Sequence, residues 1–72
     1  MQKVQTPGQA DIISIQLQPL LTIPAVARIL NVSRPTVYAL IDSEGLPIIR
    51  LGRSVRVSPL SLEQWLAERE SA

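Results

Sequence analysis

Five arginines lie between positions 28 and 56 (Arg28, Arg34, Arg50, Arg53 and Arg56) against two carboxylates, Asp42 and Glu44, a balance of +3 in a chain of net charge +1. From Val57 onward Glu63, Glu68 and Glu70 stand against Arg69, a balance of −2. A guanidinium stays charged at physiological pH and donates through a planar fork that fits a phosphate or a guanine edge. Cations gathered in the middle of the chain therefore point to an anionic partner facing that part. Other chemistry finds little to work with. The absence of Cys and His removes zinc-finger ligands, thiol nucleophiles, disulfide staples and the usual imidazole base. The 72 residues make one domain at most, too small to hold other polar groups in a dry, preorganised cleft. No enzymatic activity, metal or cofactor is expected. No apolar run approaches a membrane span, and the start lacks the basic-then-apolar order of a signal peptide, so a cytoplasmic protein with no membrane partner is expected.

The elements that must position these groups are legible from caps and spacing. Thr22 offers an N-cap hydroxyl with Pro24 in the first turn, and Val26, Ala27 and Leu30 fall on one face of a helix over residues 23–30. Asn31 tolerates the left-handed conformation that ends it. Ser33 and Pro35 repeat the start signal, and Val37, Leu40 and Ile41 give the inner face of a second helix over 34–43, stopped by Gly45 and Pro47. Two short helices joined by about three residues make a helix-turn-helix. Residues 48–57 read IIRLGRSVRV. A three-residue loop of Gly52, Arg53 and Ser54 pairs Leu51 with Val55 and Ile49 with Val57, placing four apolar residues on one face and Arg50 opposite Arg56 on the other. Ser58 then caps a last helix whose inner face is Leu62, Trp65 and Leu66, with Glu63, Glu68, Arg69 and Glu70 in solvent. In front of all this, residues 12–18 alternate like a half-buried strand. It could lie beside the hairpin, pair with another copy or stay unstructured.

Each feature has a functional and a plainer reading. Arg34, Pro35 and Tyr38 must point outward near the start of the second helix, the end that enters the major groove in helix-turn-helix proteins. Arg34 could reach a guanine edge or a phosphate, Thr36 a phosphate or a thymine methyl, and Tyr38 a phosphate. The plainer reading is a short structural helix with ordinary surface residues. Arg50, Arg53 and Arg56 have no acidic partners in the hairpin, and like charges across a ribbon are unfavourable unless a phosphate lies between them. The plainer reading there is solubility and edge protection. Trp65, spaced with two leucines, reads as a core anchor and not as a stacking platform.

In order, the stretches LLTIPAVARIL, VSRPTVY, GLP, RLGRSVRV and LEQWL resemble the excisionase-type branch of the MerR-like winged-helix proteins, over about residues 20–66. The resemblance implies a winged helix-turn-helix, mainly α with a small β-hairpin, as a domain over 20–70 behind an N-terminal arm over 1–19. It implies a non-catalytic binder of double-stranded DNA from a phage or other mobile element. Such proteins bind repeated sites near an attachment sequence, bend the DNA and turn an integrase toward excision. Carried over by position, the recognition-helix residues are Ser33, Arg34, Pro35, Thr36 and Tyr38, and the wing residues are Arg50, Arg53 and Arg56. Relatives often carry basic residues after the tyrosine, where this chain has Ala39, Asp42 and Glu44. That departure implies weaker binding by one copy and more dependence on cooperative self-association or on the integrase. A phage transcription regulator of the same fold, and a protein-interaction module with arginines for solubility, are the rival readings.

Overall fold

The structure, a computed structural model, describes residues 18–70. Its elements are α1 (Ile23–Leu30), α2 (Arg34–Ser43), β1 (Ile49–Leu51), β2 (Ser54–Arg56) and α3 (Pro59–Glu70). Each helix starts on the hydroxyl expected of it. Thr22 Oγ1 accepts the Ala25 N–H at 3.2 Å, Ser33 Oγ that of Thr36 at 3.2 Å, and Ser58 Oγ that of Ser61 at 3.3 Å. Such caps satisfy donors that a helix start leaves without partners, each contributing about 1 kcal/mol. Asn31 closes α1 in the left-handed region, at φ 59° and ψ 46°. The Val32 N–H reaches back to Ala27 O at 3.0 Å, and the chain turns straight into the cap of α2. Val26 and Val37 are fully buried where the two helices cross, with small Ala27 beside them. This pairing of α1 and α2 is the helix-turn-helix.

The hairpin departs from the expected register. Ile49 pairs with Arg56, Arg50 with Val55 and Leu51 with Ser54, so the loop is the two residues Gly52 and Arg53. Gly52 has φ +62° while Arg53 does not enter the positive region, the sign pattern of a type II′ turn. The turn wins because its twist matches that of paired strands. The segregation of apolar residues that favours a longer loop does not apply, because the ribbon has no continuous buried face. Core contact is confined to its base, where Val57 is buried and Ile48 and Val55 are half-buried. Leu51, near the tip, is 54% exposed. Arg50 and Arg56 therefore do not face each other: directly opposed residues share a face, so Arg50 goes with Val55 and Arg56 with Ile49.

A third strand is reduced to one residue. Leu21 and Val57 exchange backbone hydrogen bonds of 2.8 and 2.9 Å, which ties the entry of α1 to the exit of the wing. The strand expected over 12–18 lies, but for Gln18, outside the described residues. On α3, Leu62 and Trp65 are buried, but Leu66 is 38% exposed, a second correction. The core comprises Ile23, Val26, Ala27, Val37, Leu46, Val57, Leu62 and Trp65. A core this small accepts one row of side chains from α3, and Leu66 is left on its rim beside Leu21 and Ile29. Arg69 is exposed, as expected, and its guanidinium also hydrogen-bonds across to Glu44. The molecule is a winged helix-turn-helix: three helices with a two-stranded antiparallel wing. Among the described residues no helix is long and apolar enough to cross a membrane.

Candidate nucleic-acid interface

The start of α2 is rooted from below and faces outward. Val37 is completely buried and seats the helix on α1, which leaves Ser33, Arg34, Pro35, Thr36 and Tyr38 exposed on the other side. The hydroxyls of Ser33 and Thr36 lie 2.9 Å apart, so one donates to the other and a single hydroxyl proton of the pair remains to point outward. Thr36 is thereby held against the cap, with its methyl and one shared donor as its outward chemistry. Pro35, lacking an N–H, removes no hydrogen bond from this first turn.

The wing comes to the same side through Tyr38. A surface groove of about 440 Å³ lies between the start of α1, Tyr38 of α2 and the wing; Arg53, Ser54, Val55 and Arg56 line it from the wing, and Thr22, Ile23 and Pro24 from the start of α1. Arg56 is half-buried, and its Nη1 donates to Val55 O at 2.9 Å. That bond fixes the guanidinium along its own strand while leaving its other N–H groups to face outward. Arg53 sits exposed at the turn, and Arg50 is exposed on the face that carries Val55. Of the eight residues expected to form a site, the groove unites Tyr38, Arg53 and Arg56. Ser33, Arg34, Pro35 and Thr36 share α2 or its cap with Tyr38 but do not line the groove, and Arg50 is outside it.

The arginines of the middle of the chain are not neutralised within the fold. None of Arg28, Arg34, Arg50, Arg53 or Arg56 pairs with a carboxylate among the described residues, and the ion pair there is Arg69 with Glu44 at 3.1 Å. Some participants escape sequence reasoning. Thr22 reads in the sequence only as a cap, yet it also walls the groove. Glu44 and Arg69, far apart in sequence, give no local signal; the one hint is that a buried indole N–H requires an acceptor somewhere. No group of three or more potential metal ligands occurs among the described residues.

The profile of the helix-turn-helix domain family matches residues 20–70, which takes in all five elements. The chain belongs to that family. Two proteins from two strains of Mycobacterium tuberculosis, each named as a candidate DNA-binding protein, are 43% identical to this chain over 47 residues. The match covers 65% of this chain and 60% of each relative, so the chain spans less than two thirds of the relatives' length. No solved structure gives a significant match. For a helix-turn-helix domain the disposition of charge is informative: the second helix of the motif and the wing carry arginines free of internal carboxylate partners, whereas the ion-paired arginine sits on α3.

Proposed function

We propose that this chain binds duplex DNA without catalysing a reaction, with α2 in the major groove and the wing along the phosphate backbone. The observation that carries the reading is the groove in which Arg53 and Arg56 of the wing meet Tyr38 of α2 with no internal carboxylate to neutralise them. An arginine without an internal partner keeps its full capacity for a phosphate oxygen. Family membership and the names of the mycobacterial relatives support the same reading. In this assignment Arg53, Arg56 and Tyr38 hold phosphates, Ser33 and Thr36 present one shared hydroxyl donor to the backbone, and Arg34, beside Pro35 at the very start of α2, reads a base edge or positions on a phosphate. Arg50, which lies outside the groove, adds to the field more than to the contact.

Measuring affinity for duplex against salt tests this. With two or three phosphates neutralised, by Arg53, Arg56 and Arg34, log K falls against log salt with a slope of about −2 to −3. Affinity indifferent to salt, or no binding at low salt, removes the proposal. The resemblance to excisionase-type proteins supports a finer reading: binding at repeated sites beside an attachment sequence, bending of the DNA there and cooperation with an integrase. Footprints clustered next to an attachment sequence are expected on that reading, and footprints confined to promoters would replace it with transcriptional control.

A further inference from the structure

The far end of α2 is held from α3. Helix C-termini leave carbonyls without intrahelical partners, and they favour nearby cations. The last turn of α2 has no basic residue, and its cap is the acidic Glu44. Both deficits are met from α3. Trp65 Nε1 donates to Glu44 O at 3.0 Å and Arg69 Nη2 donates to the same oxygen at 2.7 Å, so that carbonyl accepts two bonds, one for each lone pair. Arg69 Nη2 also meets Glu44 Oε1 at 3.1 Å. The guanidinium carbon lies 3.9 Å from the centre of the Trp65 ring, a stacking distance that limits where Arg69 can place its donors. Trp65 and Arg69 thus form one unit that grips the end of α2 opposite Arg34.

We infer that Arg69, seated on Trp65, is a positioning residue for sequence recognition: by holding the Glu44 carbonyl it sets the angle at which the start of α2 meets DNA. This rests on the DNA-binding reading above. Leverage supplies the reason. Val37 is the fully buried residue nearest the start of α2, with Leu40 and Ile41 packed against the core behind it; it serves as the pivot, with Glu44 on one side of it and Arg34 on the other. An extended Arg34 guanidinium reaches on the order of 10 Å from that pivot, so a tilt of about 10° displaces it by about 1.7 Å. Bidentate contact with a base edge does not tolerate such an error, whereas a phosphate contact from a flexible side chain does. The wing is tied to the entry of α1 through Leu21 and Val57 and not through Glu44. Without the Arg69 hydrogen bonds the two halves of binding therefore separate: discrimination between sequences falls while attachment to duplex in general remains.

The experiment selects a preferred site for the full chain from random duplex, then measures affinity for that site and for random duplex at two salt concentrations. For Arg69→Gln the ratio of the two affinities is expected to fall about tenfold, with affinity for random duplex and its salt slope within about twofold of the parent. Arg69→Lys keeps most of the ratio, because an ammonium can lie over the indole and donate to Glu44 O. Leu62→Val loosens the seat of α3 in the core without touching Glu44 and serves as the stability control; it keeps the ratio. A parental ratio in Arg69→Gln, or an equal fall in Leu62→Val, overturns the inference and leaves DNA binding intact. A parent chain that binds duplex but selects no site from the random pool overturns the inference alone, and one that binds no duplex at either salt concentration overturns both.

Discussion

Arg53 and Arg34 are both exposed cations free of internal partners, yet their positions give them different tasks. Arg53 stands at the turn of the wing and lines the groove; Arg34 opens α2 and does not. Arg53→Ala is expected to weaken binding to every duplex alike and to flatten the salt slope by about 1, as when one fewer phosphate is neutralised. Arg34→Ala is expected to lower affinity for the preferred site by about 1–3 kcal/mol and to relax the preference at one base position. Binding titrations against a panel of single-base variants distinguish the two, and an Arg34→Ala protein with the parental preference makes that residue a backbone contact. What is legible from sequence at this scale is what is local. Thr22, Ser33, Ser58 and Asn31 announce helix ends within three or four residues of themselves, and all four do what they announce. The bonds from Arg69 to Glu44 cross from one helix to another, and nothing in either neighbourhood foretells them.

In the wing, a rule sound for packed sheets gives the wrong register. Grouping Ile49, Leu51, Val55 and Val57 on one face would be decisive in a sheet packed on a core. Here the ribbon projects away from the core, Leu51 lies largely in water, and the turn decides the register. Gly52 is the sequence cue for that outcome, since a two-residue loop with glycine first is a favoured hairpin connection. The same residue gives a test. A Cβ at Gly52 would meet nothing within 4 Å, but its φ of +62° is one that side chains rarely adopt. Gly52→Ala is thus expected to cost about 1 kcal/mol through backbone strain alone. Chemical denaturation measures this, and an unchanged midpoint would mean that the turn is not of this type. The helices are more legible because each has both a start signal and an inner face anchored by a buried residue: Val26 in α1, Val37 in α2, Leu62 and Trp65 in α3. Leu66 departs from expectation because helical spacing gives the direction of a side chain and not whether a neighbour waits there.

For the molecule as a whole, stability and function meet in Val37, which is fully buried under the exposed start of α2. A domain with so small a core is expected to have only about 3–5 kcal/mol of stability. Val37→Ala removes packed methyl groups and leaves a void, at about 2 kcal/mol, which lowers the thermal midpoint by about 10 °C. A ligand that binds only the folded state restores stability according to its excess over Kd, about 2.7 kcal/mol at a hundredfold excess. Duplex DNA at low salt is therefore expected to return the Val37→Ala protein close to the midpoint of the free parent. The same DNA concentration at fourfold higher salt must do much less: a slope of about −2.5 weakens Kd by roughly 30-fold, and a hundredfold excess becomes about threefold, with about 0.8 kcal/mol of stabilisation left. Thermal melts at the two salt concentrations, with and without duplex, read this directly. Stabilisation undiminished at the higher salt would place the binding energy in contacts other than phosphates and contradict the arginine-lined groove as its source.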